Sequence, residues 1–203
     1  MFNEINAENI HFSAFDVELT NTLEPKKIIA YLQELKHLDK RILDIQSIRY
    51  DSILSNNHLL SAVWHAWNGF INKYTISNSF SIEFLLYVSG QRQITKALEF
   101  FGLQDETTNF SMIIFQDREI PRKELLSLIS ANKIIKEISP IKFTDGLEKR
   151  KKLTEIFDYQ IGKSDDLLIG DHGFNQLEKY ILSTIANLVF ETSNSTIENK
   201  QNR

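Results

Sequence analysis

The segment from Asn78 to Ile94 constrains the fold of this chain more than any other stretch. The largely apolar run Phe80–Ser89 leads into Gly90 and then into a polar Gln-Arg-Gln sequence. Ser79 is suited to cap a helix at its start, and glycine supplies the permissive backbone that ends one. The pattern therefore predicts two helices, 79–89 and 91–101, joined by a polar corner at Gly90.

The flanking sequence alternates between strand-like and helix-like periodicity. Strands are predicted at 10–20, 45–54, 110–115 and 134–143, with Pro140 marking an edge or bend. Helices are predicted from Pro25, from Ser55 or Asn56 to Lys73, from Pro121, and over 147–157 and 174–190. These elements predict a single α+β domain, residues 1–190, with helices packed on a small sheet. The polar segment 191–203 is predicted to be a disordered tail.

Charge and composition exclude several classes of function. The net charge of the 203 residues is −4, which argues against a broad nucleic-acid-coating surface and requires any RNA contact to be local. Cysteine is absent, so that disulfides, thiolate metal sites and cysteine nucleophiles are excluded. No signal peptide or membrane span is recognisable, which predicts a cytoplasmic protein with no membrane partner.

Motifs for catalysis and for cofactors are also missing from the sequence. The five histidines have no metal-binding spacing, and there is no P-loop, dinucleotide fingerprint or nucleophile elbow. Asp165, Asp166, Asp171 and His172 suggest a catalytic cluster, but Asp171 as the N-cap of the last helix is the stronger interpretation. The basic run 149–152 is better explained as a solvated helix face than as a phosphate site. We therefore predict a non-enzymatic chain without metal or cofactor.

The polar corner offers two interpretations. A helix N-terminus attracts anions, Gly90 permits close approach of another chain, and Arg92 can form a bidentate contact with phosphate. Gln93 can pair with a base edge, and an aromatic ring such as Phe80 can stack on a base. The alternative is a tight helix–helix corner with no ligand, and residue chemistry alone favours it.

The corner and its surroundings resemble the small subunit of the KEOPS (EKC) complex, the Cgi-type family that binds the Bud-type kinase PRPK. The resemblance is carried by Asn78-Ser79-Phe80, Glu83, Ser89-Gly90-Gln91-Arg92-Gln93-Ile94, Ala97 and Phe101-Gly102. Upstream, Ile45-Gln46, Asp51, His58-Leu59-Leu60, Ala62 and His65-Ala66 follow the same pattern in order.

The resemblance implies a helical layer on a mixed β-sheet and a non-catalytic role in the threonylcarbamoyladenosine modification of tRNA. In that complex, the chemistry belongs to a kinase-like ATPase and to the threonylcarbamoyl transferase subunit. The small subunit is implied to dock on the Bud-type kinase, to stimulate its ATP turnover and to bind the single-stranded CCA end of tRNA.

Carried onto this chain, the resemblance implies two sets of site residues. Contacts with the tRNA 3′ end are expected at Asn78, Ser79, Phe80, Ser89, Gly90, Arg92, Gln93 and Ile94. Kinase docking is expected on the last helix at Tyr180, Ile181, Thr184 and Leu188, where apolar residues exceed the needs of one core stripe. The alternative function is an adaptor of the same fold that binds the kinase without binding RNA, for which the net negative charge argues. The segment Lys142–Asp171 departs from the family as an apparent insertion.

Overall fold

The computed structural model describes residues 10–159 and 170–201 of the chain. The strands, in chain order, are β1 His11–Leu23, β2 Ile42–Arg49, β3 Thr107–Gln116 and β4 Ile135–Pro140. The helices are α1 Pro25–Leu38, α2 Asn56–Asn72, α3 Phe80–Ser89, α4 Ile94–Phe101, α5 Arg122–Ser130, α6 Leu147–Ile156 and α7 Gly170–Gln201. The predicted α+β class is confirmed. The chain forms two compact units, one comprising residues 1–50 and 102–142 and the other residues 51–101 and 143–203.

The first unit contains a four-stranded sheet in the order β2-β3-β1-β4. All three neighbouring pairs are antiparallel, so the expectation of a mixed sheet is wrong. The reason lies in the strand order. β1 and β2 run in the same direction, which the helical connection between them permits, but β3 lies between them and runs against both. The parallel relation therefore exists only between strands that do not touch.

The core of the sheet unit lies between one sheet face and the helices α1 and α5. Inward-facing residues of β1 pair with those of β3, as in Phe15 with Met112 and Val17 with Phe110. The hydroxyl of Tyr31 on α1 donates to the carbonyl of Ile129 on α5 at 2.9 Å, which satisfies a buried polar group. This unit thus has a two-layer architecture in which helices cover one apolar face of the sheet.

The second unit, which we call the helical unit, consists of α2, α3, α4, α6 and α7 within the described residues. α3 is buried along nearly its whole surface and packs against α2 and α4, while α2 also packs on α7. The apolar stripe of α7 comprises Leu177, Ile181, Ile185 and Leu188, spaced three or four residues apart and all buried. No described helix combines the length and the apolar run that crossing a bilayer would require.

Element boundaries agree with the sequence where a local cap sets them. Pro25 opens α1, and the hydroxyls of Ser55 and Ser79 cap α2 and α3 as predicted. The second helix of the corner starts at Ile94, three residues later than expected, because the turn after Gly90 keeps residues 91–93 non-helical. Helix α7 continues to Gln201 through most of the segment predicted as a tail; the division into a domain of 1–190 and a tail of 191–203 stays a prediction.

Candidate functional site

The corner between α3 and α4 is built by a left-handed glycine. Gly90 has φ +65°, and its N–H donates to the carbonyls of Leu86 and Tyr87 in the last turn of α3. The N–H of Gln91 also donates to Leu86, at 3.0 Å. These bonds satisfy carbonyls that a helix end would otherwise leave unpaired, in the manner of a Schellman turn.

A second constraint at Gly90 comes from α6. A β-carbon placed on Gly90 would lie 2.5 Å from Cε1 and 2.8 Å from Cδ1 of Phe157, which follows α6 directly. The side-chain amide of Gln91 donates to the carbonyl of Ile156 at 3.2 Å. The backbone of the corner therefore packs directly against the end of α6, and only glycine fits at position 90. In the sequence, this part of the chain was identified only as an apparent insertion.

His58 lies beneath the corner and links α2 to the end of α3. Its Nδ1 accepts the N–H of Leu54 at 3.1 Å, and its Nε2 lies 2.8 Å from the carbonyl of Val88. These partners require the neutral tautomer with the proton on Nε2. Burial lowers the pKa of His58 to about 4, so the ring is neutral at physiological pH. His58, Phe101 and Phe157 pack edge to face around this point.

A groove opens beside the corner, between the start of α4 and the middle of α7. Its volume is about 440 Å³. The described residues that line it are Gly90, Gln91, Arg92, Gln93, Lys96, Tyr180, Thr184, Asn187 and Leu188. Two of them are cations, three carry side-chain amides, two carry hydroxyls, and none of these described residues is acidic. Such a lining suits an anionic ligand that also offers hydrogen-bonding edges.

The groove joins residues that the sequence had assigned to separate functions. Arg92 and Gln93 were expected to contact RNA, whereas Tyr180 and Thr184 were expected to contact a kinase; all four line the same groove. The sequence analysis assigned no contact to three other lining residues, Gln91, Lys96 and Asn187. Asn187 lies three residues after Thr184 on α7, so helical spacing was a signal for it, whereas Arg92 precedes α4 and gave no such signal for Lys96.

Two of the residues predicted to contact RNA are core residues instead. Phe80 is fully buried. Its ring meets the rings of Trp67 and Phe70 edge to face, with centroid distances of 5.9 Å and 5.3 Å. Ser89 is also fully buried, and its hydroxyl donates to the carbonyl of Leu85 at 2.7 Å. Neither side chain is open to a ligand in this conformation. Phe80 therefore packs in the core, and the Ser89 hydroxyl pairs with a backbone carbonyl of α3; neither is an RNA contact.

The other predicted RNA contacts divide between the two ends of α3. Asn78 is exposed and Ser79 half-buried at its N-terminal end, whereas Gly90, Arg92 and Gln93 follow its C-terminal end. At 1.5 Å per residue, the two ends of this helix are roughly 15 Å apart. Ile94 is exposed at the start of α4 but does not line the groove. The structure thus brings together the corner residues and separates them from Asn78 and Ser79.

The buried carboxylate of Glu83 holds the loop that carries Asn78. Its Oε2 accepts the N–H groups of Ile76 at 3.0 Å and Ser77 at 2.8 Å. Burial raises the pKa of Glu83, while these two hydrogen bonds oppose the rise. The entry to α3 is therefore fixed from within the fold, as its exit is fixed by Gly90.

The kinase-docking prediction on α7 requires a correction. Ile181 is fully buried and Leu188 nearly so, because both belong to the core stripe of the helix. Tyr180 is half-buried, with its ring 4.6 Å from that of Tyr159, and the Thr184 hydroxyl donates to the Tyr180 carbonyl. Four apolar residues of α7 form its buried stripe, while Leu182 and Val189 beside that stripe are half-buried.

The first two residues of the basic run 149–152 are buried and so differ from the expected solvated face, whereas Lys151 is half-buried and Lys152 is exposed. The ammonium group of Lys149 is buried and donates to Asp51 Oδ1 at 2.6 Å and to the Thr144 carbonyl at 2.9 Å. Arg150 pairs with Asp145, which lowers the pKa of that carboxyl, and donates to the Gly170 carbonyl at 2.7 Å. These two cations fasten α6 to its neighbours within the helical unit.

The structure also bears on the acidic cluster and on the metal-binding side chains considered in the sequence. Asp171 lies in the first turn of α7 and not before it, so it is not the N-cap. Asp165, Asp166 and the side chain of His172 lie outside the described residues. In the part of the chain that is described, no three His, Cys, Asp or Glu side chains are grouped to hold a metal ion.

Comparison with known proteins assigns the chain to a family. No curated protein matches the sequence. The family model described as kinase binding protein CGI-121 matches residues 18–188, which include the corner, both walls of the groove and most of both units. The chain therefore belongs to the CGI-121 family of kinase-binding proteins.

Proposed function

We propose that this chain is a non-catalytic subunit of a KEOPS complex that binds the CCA 3′ end of tRNA in the groove beside Gly90. In this role it docks on and activates a Bud-type kinase in the cytoplasm, and the threonylcarbamoyl transferase subunit completes the modification. The observation that carries the proposal is the groove itself, which combines Arg92, Lys96, three amides and Tyr180 without an acidic residue among its described lining.

The lining chemistry matches an unpaired RNA end. Arg92 and Lys96 offer positive charge to phosphates, with Arg92 also capable of a bidentate contact. The amides of Gln93 and Asn187 can each donate to and accept from the exposed edge of a base. The side-chain oxygen of Gln91 can accept from a base, while its NH2 group donates to the carbonyls of Ser89 and Ile156. Tyr180 contributes an aromatic ring on which a base can stack, a contact that depends little on sequence.

The size and rigidity of the groove support the same conclusion. A volume of about 440 Å³ falls within the range of small-ligand sites and is too small for a duplex. The backbone at its floor is fixed by the Gly90 turn and by the contacts with Ile156 and Phe157. A site that is already ordered loses little entropy on binding, which favours capture of a short flexible strand.

The second candidate function is an adaptor that binds the kinase and not RNA. The net charge of −4 favours it, because the long-range field of an acidic chain opposes the approach of a polyanion. RNA binding through the groove must overcome this field with a few local contacts. The two functions therefore differ in whether tRNA binding depends on Arg92.

Affinity for tRNA tests the proposal. We expect the purified chain to bind tRNA with an intact CCA end and to bind the same tRNA without CCA at least about 10-fold more weakly, since single-stranded ends carry the specific contacts. Arg92→Glu should abolish the preference for CCA. Arg122→Glu at the start of α5 is the matched control, because it makes the same charge change at another exposed arginine.

Two results would favour the adaptor instead. One is the absence of tRNA binding by the wild-type chain at low salt. The other is equal binding of tRNA with and without its CCA end, or equal loss in the Arg92→Glu and Arg122→Glu variants, which would indicate a general charge effect.

A further inference from the structure

Helix α2 is uncharged along its whole length. Its 17 residues contain no Asp, Glu, Lys or Arg, although a quarter of the chain is charged. One face is buried through Leu59, Val63 and Trp67. An ordinary surface helix places charges on the opposite face, but α2 does not.

The outward face of α2 instead carries three large apolar side chains. Leu60 is 44% exposed, Trp64 62% and Ile71 37%. Their spacing of four and seven residues aligns them within one face of the helix. Asn68 and Asn72 border this face, and their side-chain amides donate to the carbonyls of Trp64 and Asn68 in the preceding turn. We call Leu60, Trp64 and Ile71 the α2 face.

Two exposed leucines outside α2, Leu38 and Leu98, lie among charges. Leu38 is 61% exposed at the end of α1, a helix that also contains Lys26, Lys27, Glu34 and Lys36. Leu98 is 46% exposed on α4, where Lys96 and Glu99 flank it. Protein interfaces are depleted of charge at their centre and enriched in tryptophan. The α2 face meets both conditions, whereas the surroundings of Leu38 and Leu98 do not.

We propose that the α2 face is the docking surface for the kinase partner, with Trp64 inserted into an uncharged apolar groove of the kinase. The inference rests on the kinase partnership of the proposed function, and it replaces α7 as the place of docking. An uncharged face complements an uncharged groove, since a charged partner surface would be desolvated there without compensation. A helix that lays its apolar face into a groove is a common mode of recognition.

The α2 face and the RNA groove have no residue in common. Kinase docking through Trp64 therefore uses none of the groove residues, and we expect one chain to engage both partners at once. The two functions should be separable by single substitutions within the helical unit.

Binding to the Bud-type kinase of the same organism, measured by calorimetry, tests the inference. We expect Trp64→Glu to weaken kinase binding at least about 30-fold, the loss typical of a central interface residue. Leu60→Glu should weaken it as well. Leu38→Glu and Leu98→Glu are matched controls, because they introduce the same charge at leucines of similar exposure, and both should bind the kinase like wild type. Thermal unfolding of each variant checks that the fold is retained.

A parallel measurement of tRNA binding separates this inference from the proposed function. We expect Trp64→Glu to keep wild-type affinity for tRNA and Arg92→Glu to keep wild-type affinity for the kinase. Kinase binding that survives Trp64→Glu, or that is lost in Leu98→Glu alone, would overturn the α2 face while leaving the kinase partnership intact.

Two further outcomes would also overturn the inference. If the wild-type chain does not bind the kinase, both the partnership and its docking face are wrong. If light scattering shows a dimer of the isolated chain that Trp64→Glu converts to a monomer, with kinase affinity unchanged, the α2 face serves a second copy of the chain.

Discussion

Gly90 fixes the geometry of the corner because two independent restrictions exclude a β-carbon at this position. A side chain there would adopt φ +65° and would also overlap the ring of Phe157. We expect Gly90→Ala to lower the free energy of unfolding by about 2–4 kcal/mol, since left-handed backbone and overpacking each cost 1 kcal/mol or more. Urea denaturation measures this change.

Gly146→Ala is the control for Gly90→Ala. Gly146 has φ −165°, and a β-carbon there would meet no atom within 4 Å. Its substitution should change the free energy of unfolding by less than about 1 kcal/mol. Equal effects of the two substitutions would contradict the account of the corner.

His58 makes the stability of the helical unit depend on pH. Its folded pKa of about 4 lies below the ordinary value of 6.5, so the unfolded chain binds the proton more tightly. The stabilisation is fully present above pH 6.5 and is lost as the pH falls toward 4. We expect this group to remove about 2 kcal/mol between roughly pH 7.5 and pH 5.

The comparison with His58→Gln isolates this effect, because other buried groups titrate in both proteins. The variant should lose less free energy of unfolding over the same pH interval than wild type. His37→Gln, at an exposed histidine on α1, controls for the change of residue type. Identical pH profiles of wild type and His58→Gln would show that His58 is not buried in its neutral form.

Helix α6 and the corner are coupled through the ring of Phe157. Phe157→Ala removes the ring that packs against Gly90, His58 and Phe101, and we expect a loss of about 3–5 kcal/mol in the free energy of unfolding. In that background Gly90→Ala should cost about 1–2 kcal/mol less than it does alone, because the overlap is gone. A double-mutant cycle measures this coupling, and strict additivity would contradict it.

Local signals in the sequence were sufficient to place the elements, and non-local contacts were not. Ser55 and Ser79 could be recognised as caps because each bonds to an N–H three residues ahead. The contact of Gly90 with Phe157 spans 67 positions, and no periodicity in the sequence predicts it. For the same reason, the sequence could not show that Phe80 faces the core while Arg92 faces the groove.

At the scale of the whole molecule, the class of the fold was predictable but the order of its strands was not. Alternating strand and helix patterns indicate α+β architecture, yet they do not show that β3 lies between β1 and β2. The same limit applies to the site. Residues 92–93 and 180–184 were singled out separately, and only the folded helical unit places them on one groove.

In a chain with a net charge of −4, the two cations of the groove set the expected salt dependence of RNA binding. With Arg92 and Lys96 as its two cations, the groove should release about two counterions, giving a slope of roughly −1.4 in log K against log salt for single-stranded RNA. Lys96→Gln, which removes one of the two cations, should reduce the magnitude of this slope by about half. A slope several times steeper, measured over a salt series, would indicate a broad basic surface elsewhere.

The most direct test of the central claim is a nuclear magnetic resonance titration with a tRNA acceptor minihelix that ends in CCA. We predict saturable shifts at the backbone amide of Gly90 and at the side-chain amides of Gln91, Gln93 and Asn187, and no such shifts with a minihelix that lacks CCA. Shifts confined to residues outside the groove, or identical shifts with both RNAs, would contradict the assignment of this groove as the site for the RNA 3′ end.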